Sequence, residues 1–203
     1  GKETMLLYNQ KFSVCPNTTH IRVKDVSKNL TKKKIITNIK NIDYFYRNTI
    51  GIKKPTIGVM GLNPHNGMDL KKKIEEKDTI NPAIKKLIQD KIKVVGPLVP
   101  DVAFNMIDKK NINCLVGHYH DQVLPTFKYI HKFDAINITL GLPFLRISPD
   151  DNWNKLNFST INFDWVPLPA PGGPKITKFI TSFYLPNFVF FINDSYCELI
   201  NLV

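Results

Sequence analysis

Short apolar runs alternate with longer amphipathic stretches through the first 150 residues of the chain. This alternation is typical of α/β architecture, in which helices cover a sheet of buried strands. The β-rich runs TIGVMGL, NCLVGHYH and AINITLGLPF each predict a strand that ends near a glycine or a polar residue. IKVVGPLVPD predicts a strand, a turn and a new helix that begins at Asp101.

Apolar stripes at helical spacing predict two of the connecting helices. The stretch KKKIITNIKNIDYFYR carries one such stripe, and Asp25 or Ser27 could cap the start of its helix. A second helix is predicted over residues 79–90, with Pro82 in its first turn. Ligands of open α/β sheets bind at the ends of strands. Four polar residues are expected at or near such ends: His65, Asp101, His120 and Asn137.

The composition changes after residue 150. Residues 151–203 contain both tryptophans, five prolines and only three lysines. This segment is too apolar for an ordinary linker and too irregular to continue the α/β pattern. We therefore predict two regions: an α/β region over residues 1–150 that binds metal and substrate, and an aromatic-rich tail over 151–203 of undefined fold.

The net charge of +11 raises the question of an anionic partner. Most of the basic residues are lysines scattered along predicted helices, a pattern that favours solubility, and the only arginines are Arg22, Arg47 and Arg146. Interleaved arginines and aromatics would be expected of a nucleic-acid interface. We therefore predict no nucleic-acid partner, and either a lysine-rich composition bias or a phosphate-bearing substrate accounts for the charge.

The cysteines and the apolar runs indicate the compartment. Cys15, Cys114 and Cys197 are odd in number and form no CxxC pair, so neither a disulfide framework nor a thiolate zinc site is expected. No uncharged apolar run reaches 18 residues, and the N-terminus lacks the pattern of a signal peptide. We expect a cytoplasmic enzyme without membrane contact, and further residues upstream because the chain begins with Gly1.

Histidines at predicted strand ends are the main candidates for chemistry, since imidazole both binds metals and transfers protons. His65 lies in the stiff turn GLNPHNG, where it is equally well explained as a turn residue that bonds a nearby carbonyl. His118 and His120 are two apart on a predicted strand, so only one of them can face the site. Asp121 and Gln122 could orient a ligand histidine. His20 alone is unremarkable, and His131 is expected on a surface loop without a role.

A second group of polar residues follows on KYIHKFDAINITLGLPFLR. It consists of Lys128, Asn137 and Arg146. The guanidinium of Arg146 could form an ion pair at the edge of the core or clamp a carboxylate or phosphate, and the chemistry alone leaves both open. Asp101 could be only a helix cap after Pro100.

Several long segments resemble the PdxA family of 4-hydroxythreonine-4-phosphate dehydrogenases. They are GLNPHNG, GPLVPDVAF, YHDQVLPTFKY and INITLGLPFLRISPD, and together they place the resemblance over residues 5–150. THIRVKDVSKNLTKKKIITNI is also similar to the family segment in which a Thr-His pair precedes a helix. The resemblance implies an isocitrate/isopropylmalate dehydrogenase-like three-layer fold, incomplete in this chain.

The resemblance also implies a site and a reaction. His20, His65 and His120 would hold a divalent metal, with His120 supplied by the partner chain of a homodimer. Zinc suits neutral imidazoles best, although magnesium or cobalt would be alternatives. Lys128, Asn137 and Arg146 would contact the phosphorylated hydroxy-amino acid, and Lys128, Asp101 and Asp121 would be catalytic. The reaction would be oxidation of the substrate alcohol by NAD or NADP, followed by decarboxylation, in the biosynthesis of pyridoxal phosphate.

The sequence departs from the family pattern at both ends. The glycine-rich and GHTE-like segments expected upstream are absent, and Ser148-Pro149-Asp150 is followed by DNWNKLNFST instead of an HGTA-like segment that helps to hold the dinucleotide. No residue is therefore assigned to the NAD site. The alternative prediction is an inactive remnant, from truncation or a frameshift, that at most binds metal and dimerises. A related hydroxy-acid phosphate as the substrate also remains open.

Overall fold

The computed structural model describes residues 3–70, 74–132, 134–142 and 146–149, together with the backbone of two further short segments, 189–193 and 196–200. A mixed sheet forms the centre of the fold, with strands in the order β4-β3-β5-β2-β1-β6-β7-β9-β8. The strands are β1 (Thr4–Tyr8), β2 (Ser13–Pro16), β3 (Ile57–Met60), β4 (Val94–Leu98), β5 (Cys114–Gly117), β6 (Ile136–Leu140), β7 (Arg146–Pro149), β8 (Val189–Asn193) and β9 (Tyr196–Ile200).

Six of the strands run in the same direction, namely β2, β3, β4, β5, β6 and, through two antiparallel pairings, β9. β2, β5, β3 and β4 pair in parallel, and β6 shares their direction because β1 pairs antiparallel with both β2 and β6. β7 then pairs antiparallel with β6, and β9 joins β7 to β8. The carboxyl ends of β2, β3, β4, β5 and β6 therefore meet at one side of the sheet, which we call the carboxyl edge.

Helices pack on both faces of this sheet. They are α1 (Val26–Asn29), α2 (Lys32–Asn48), α3 (Asn81–Gln89), α4 (Met106–Lys110) and α5 (His120–His131). α2 and α3 cover a core that includes Ile39, Leu87 and Val116, whereas α4 and α5 cover a second core that includes Leu115 and Phe127. None of the helices in these ranges has both the length and the apolar composition needed to cross a membrane.

The strand predictions were confirmed where long apolar runs had been found, as in β3, β5 and β6. The hairpin of β1 and β2 had not been predicted, since each strand is only four or five residues long. The expected strand NCLVGHYH is too long: β5 ends at Gly117 and α5 begins at His120. His118 and His120 therefore do not lie on a strand together.

Two predicted helix starts were wrong. α2 is capped by Thr31, whose side chain accepts a hydrogen bond from the amide of Lys34, and not by Asp25 or Ser27. The chain does not enter a helix at Asp101, because residues 101–105 form turns and α4 begins at Met106. The division of the chain at residue 150 remains a prediction.

Candidate metal centre

Three of the histidines lie just beyond strands of the carboxyl edge. His20 follows β2, His65 follows β3, and His120 is the first residue of α5 after β5. These strands are neighbours in the order β3-β5-β2, so the topology brings the three segments to the same part of the edge. His20 and His65 are exposed and His120 is partly exposed.

His20 and His120 stand side by side in this arrangement. Their ring centroids are 5.8 Å apart, with an angle of 43° between the ring planes. Two imidazoles on one tetrahedral zinc ion, with Zn–N bonds of about 2.0–2.1 Å, would have centroids roughly 5 Å apart. The spacing of this pair therefore fits a shared metal ion.

Carboxylates orient two of the three imidazoles. Nδ1 of His120 lies 2.6 Å from Asp121, and Nδ1 of His65 lies 3.2 Å from Asp69. No hydrogen bond within the described ranges occupies Nε2 of either ring. A histidine whose Nδ1–H donates to a carboxylate presents the lone pair of Nε2, which is the usual state of a metal-ligating histidine. The donor chemistry of these residues thus suits a divalent metal.

The same part of the chain does not assemble a complete metal site by itself. Among the described residues, no group of three or more His, Cys, Asp or Glu side chains is close enough to hold a metal ion. His20 and His120 form a pair, and His65 is not drawn into a cluster with them.

His118 differs from its neighbours because it is fully buried and both of its ring nitrogens are used. Nε2 lies 2.7 Å from the carbonyl oxygen of Met60, and Nδ1 lies 3.2 Å from Nδ2 of Asn17. Because a carbonyl can only accept, Nε2 carries the proton and Nδ1 accepts from Asn17. Burial lowers the pKa of His118 to about 4, so the ring is neutral near pH 7. His118 is therefore excluded as a metal ligand.

A chain of hydrogen bonds, buried over most of its length, runs through His118 to the carbonyl oxygen of Met60. Each member donates to the next over 2.7–3.2 Å, in the order Asn41, Thr4, Asn38, Asn17, His118 and the Met60 carbonyl. It connects α2 to the start of β1 and to the ends of β2, β5 and β3. Every link runs from donor to acceptor in the same direction, so the chain fixes both the amide orientations and the tautomer of His118.

Gln122 adds a second connection between the ends of β3 and β5. Its Oε1 accepts from the amide of His118 at 2.6 Å, and its Nε2 donates to the carbonyl of Gly61 at 2.7 Å. The backbone pairing of these strands ends at Val59 and Val116. The side chains of His118 and Gln122 thus continue the attachment where the backbone ladder stops. Sequence reasoning had assigned Gln122 to orienting a ligand histidine, and it bonds these two backbone groups instead.

The loop that carries His65 has an unusual backbone. His65, Asn66 and Gly67 have φ values of 51°, 56° and 70°, so three consecutive residues adopt left-handed conformations. Such conformations cost non-glycine residues roughly 1–2 kcal/mol each and need support from surrounding contacts. The buried carboxylate of Glu76 lies beneath this loop and accepts hydrogen bonds from the amides of Leu62 and Asn63, each at 2.7 Å.

The other predicted site residues are more widely spread. Asp101 is exposed in the turn after β4, and Asp121 is exposed beside His120. Lys128 is partly buried near the end of α5, eight residues from His120, which corresponds to about 12 Å along the helix axis. Asn137 is the second residue of β6, so it lies near the amino end of that strand and not at the carboxyl end where it was expected. Its Oδ1 is buried and has no hydrogen-bond partner in the described structure, and Arg146 begins β7 opposite Thr139.

Sequence reasoning missed the buried polar residues behind the histidines. Glu76, Asn17 and Asn38 carry no metal-ligand spacing, and their roles depend on strands that meet only in the fold. The available signals were weak: Asn17 directly follows a strand, and Glu76 precedes the apolar stripe of α3. His131 was also placed wrongly, since it is buried against Phe12 and Phe127 and is not a surface loop residue.

The chain is similar to one family of known proteins. The family model described as "Pyridoxal phosphate biosynthetic protein PdxA" matches residues 1–152. A curated protein from Sulfurihydrogenibium sp. (strain YO3AOP1), named 4-hydroxythreonine-4-phosphate dehydrogenase, is 44% identical over 146 residues, which is 72% of this chain and 45% of that protein. A protein of the same name from Bradyrhizobium diazoefficiens is 39% identical, over 72% of this chain and 42% of its own length.

Solved structures show the same relationship. The 4-hydroxythreonine-4-phosphate dehydrogenase from Klebsiella pneumoniae superposes with a TM-score of 0.68 at 34% identity, covering 74% of this chain and 46% of that one. A structure from Burkholderia phymatum under the same name gives a TM-score of 0.67 at 30% identity, over 74% of this chain and 46% of that one. The chain thus spans about 45% of the length of the first curated relative.

Proposed function

The chain belongs to the PdxA family, and we propose that it supplies the metal- and substrate-binding part of a 4-hydroxythreonine-4-phosphate dehydrogenase of vitamin B6 biosynthesis. The observation that carries this proposal is the geometry at the carboxyl edge. His20 and His120 are spaced as two ligands of one ion, and the rings of His65 and His120 are each oriented by a carboxylate.

The metal proposed for this site is a divalent cation, with zinc as the first choice and magnesium or cobalt as alternatives. His20, His65 and His120 would hold it through neutral imidazole nitrogens. When bound, the cation supplies Lewis acidity that stabilises negative charge developing on the substrate oxygen. Asp121 keeps the imidazole of His120 in the tautomer that presents Nε2, and Asp69 does the same for His65.

The proposed substrate is the phosphorylated hydroxy-amino acid named in the relatives. We propose that Lys128, Asn137 and Arg146 contact it, and that Lys128, Asp101 and Asp121 serve catalysis through charge neutralisation and proton transfer. The buried and unpartnered Oδ1 of Asn137 supports a role in binding, because buried polar atoms normally have partners. Arg146 begins β7 opposite Thr139, at the carboxyl end of β6, where its planar fork suits a phosphate.

The distances within one chain support a homodimer as the functional unit. The histidines do not form a three-ligand cluster in the described part of the chain, and Lys128 lies about 12 Å along α5 from His120. The resemblance implies His120 from the partner, but His20 and His120 of one chain already lie side by side, so we propose a site shared between subunits without assigning His120 to the partner. We also propose the isocitrate/isopropylmalate dehydrogenase-like fold for the complete unit and a cytoplasmic location.

The proposed reaction is oxidation of the secondary alcohol of the substrate by NAD or NADP, followed by loss of carbon dioxide. NAD or NADP, when bound, would supply the hydride acceptor, and in this chain Lys128 is the candidate base for the hydroxyl proton of the substrate. The resulting β-keto acid would then lose carbon dioxide. Lys128, protonated by the first step, would stabilise the electron pair left on the carbon.

The test begins with zinc binding by the purified full chain. His65→Asn removes the imidazole but keeps a residue that tolerates a positive φ, so the backbone turn is preserved. We expect a loss of zinc affinity of more than about 100-fold, because even groups that only orient ligands account for 10–100-fold. Met68→Ala, an exposed change in the same segment, should bind as the wild type does. Equal affinity of His65→Asn and wild type would overturn the site.

Turnover is measured separately, as NADH formed from 4-hydroxythreonine 4-phosphate and NAD by the zinc-loaded chain. Formation of NADH would support the dehydrogenase. Zinc binding without NADH would favour the alternative of a metal-binding chain that does not complete the reaction.

A further inference from the structure

We infer that Glu76 is a positioning residue that holds the left-handed turn His65-Asn66-Gly67 and so fixes His65 for metal binding. The inference rests on the proposed function, because it takes His65 to be a ligand of the metal. Glu76 lies eleven positions from His65 and begins the helical turn Glu76–Ile80, so no sequence motif joins the two.

The carboxylate of Glu76 is fully committed to the His65 loop. The residue is only 3% exposed. Its Oε1 accepts from the backbone amides of Leu62 and Asn63 at 2.7 Å each, and its Oε2 accepts from Nδ2 of Asn63 at 2.9 Å. Hydrogen bonds to an ionised acceptor are stronger than neutral ones, and a buried carboxylate requires such compensation. These bonds immobilise the backbone directly before the turn.

Two glycines of the loop allow this close approach. A Cβ atom on Gly61 would collide with Oδ1 of Asn66 and lie 3.2 Å from Oε1 of Glu76, and one on Gly67 would collide with Ile74 and lie 3.1 Å from Oε2 of Glu76. Gly67 also has a φ of 70°, which suits glycine. Both glycines therefore lie next to the carboxylate of Glu76, and each also lies against a second side chain, Asn66 for Gly61 and Ile74 for Gly67.

The neighbouring Glu75 fixes the orientation of the Asn63 amide. Nδ2 of Asn63 donates to Oε2 of Glu75 at 2.8 Å as well as to Glu76, so both of its hydrogens are directed at carboxylates. Glu75 in turn accepts a hydrogen bond from Ser27 on α1. Because α1 follows the segment of His20, this contact ties the loop of His65 to the loop of His20.

The experiment compares Glu76→Gln with Asp78→Asn in the full chain. Glutamine is isosteric, but its NH₂ group would face the NH₂ group of Asn63, which cannot flip without losing Glu75. Asp78 is an exposed acid on the same helical turn and controls for the loss of one charge. Zinc affinity is measured by competition with a chromogenic chelator, and exchange of the Leu62 and Asn63 amide hydrogens is followed by NMR.

We expect Glu76→Gln to bind zinc at least about tenfold more weakly than wild type and to exchange both amide hydrogens faster. Asp78→Asn should match wild type within about twofold in both measurements. Wild-type zinc affinity or unchanged exchange in Glu76→Gln would overturn the inference. If His65→Asn also retains zinc, the proposed metal site fails, and the exchange rates alone then decide whether Glu76 holds the turn.

A second variant covers the case in which Glu76→Gln does not fold. Gly67→Ala disturbs the same turn, because alanine disfavours a φ of 70° and its methyl group would collide with Ile74 and press on Oε2 of Glu76. Zinc affinity lower than wild type by about tenfold is again expected. Wild-type affinity in Gly67→Ala would overturn the inference, since the turn would then tolerate displacement from the carboxylate.

Discussion

His118 and His120 are the same residue type two positions apart, and they belong to two regions with opposite properties. Around His118, the side chains are buried and every ring nitrogen or amide has a partner, whereas His120 lies at the surface with only Nδ1 bonded. The buried region behind the carboxyl edge connects strand ends, and the exposed region in front presents imidazoles. The difference predicts that His118 contributes to stability and that His120 is available for the proposed metal.

The largest expected effect comes from replacing the buried histidine. His118→Ala would leave the Met60 carbonyl and the Asn17 amide without partners and create a cavity, at a cost of roughly 4 kcal/mol in the free energy of unfolding. His120→Ala should change that free energy by less than about 0.5 kcal/mol, as surface substitutions usually do. Urea unfolding of the metal-free proteins measures both, and similar losses in the two variants would contradict the separation.

Lowering the pH should destabilise the buried region around His118. Because burial lowers the pKa of His118 to about 4, the neutral ring stabilises the folded state fully above the unfolded pKa near 6.5, and this contribution disappears as the pH falls toward 4. The shift corresponds to roughly 3 kcal/mol.

Urea unfolding at several pH values between 7 and 4 measures this loss. Burial also lowers the pKa of His131, with the charge of Lys11 as a smaller cause, so the wild-type curve contains a further contribution of the same sign. The difference in unfolding free energy between wild type and His118→Gln, followed over pH, isolates the contribution of His118. Parallel curves for the two proteins would show that His118 does not titrate in this way.

The smallest effect on stability is expected in the exposed region. Asp121→Ala removes the carboxylate that orients His120 and should weaken zinc binding about tenfold, while the free energy of unfolding changes by less than about 1 kcal/mol. Asp108→Ala is the matched control, because Asp108 is also an exposed acid in the first turn of a helix. Equal loss of zinc affinity in both variants, or a large loss of stability in Asp121→Ala, would contradict the division into a stabilising buried region and a metal-binding exposed region.

The sequence predicted the exposed region better than the buried one. His65 and His120 follow apolar runs, and the resemblance added His20, so the topology that unites these segments could be anticipated from strand ends. The buried hydrogen bonds could not be anticipated. Asn38 lies on α2, and the sequence of α2 has the pattern of any amphipathic helix, which does not show that Asn38 bonds to Asn17. Its role arises only when α2 packs over the ends of β1 and β2.

The helix boundaries show the same limit. Thr31, Asp25 and Ser27 are all good cap residues, and the sequence does not distinguish among them. Ser27 instead donates to Glu75, so a side chain suited to a cap was used for a long-range contact. Local rules gave the type of these elements, whereas tertiary contacts decided where they begin.

The hydrogen-bond chain from Asn41 to the Met60 carbonyl has a consequence for how this sequence can change over time. Its last acceptor cannot donate, so the chain has a single polarity, and an acid in place of Asn17 or Asn38 would set two acceptors against each other. Tolerated replacements must preserve a donor on one side and an acceptor on the other, or occur together with a second change. We therefore expect substitutions at these positions to be coupled in pairs during divergence.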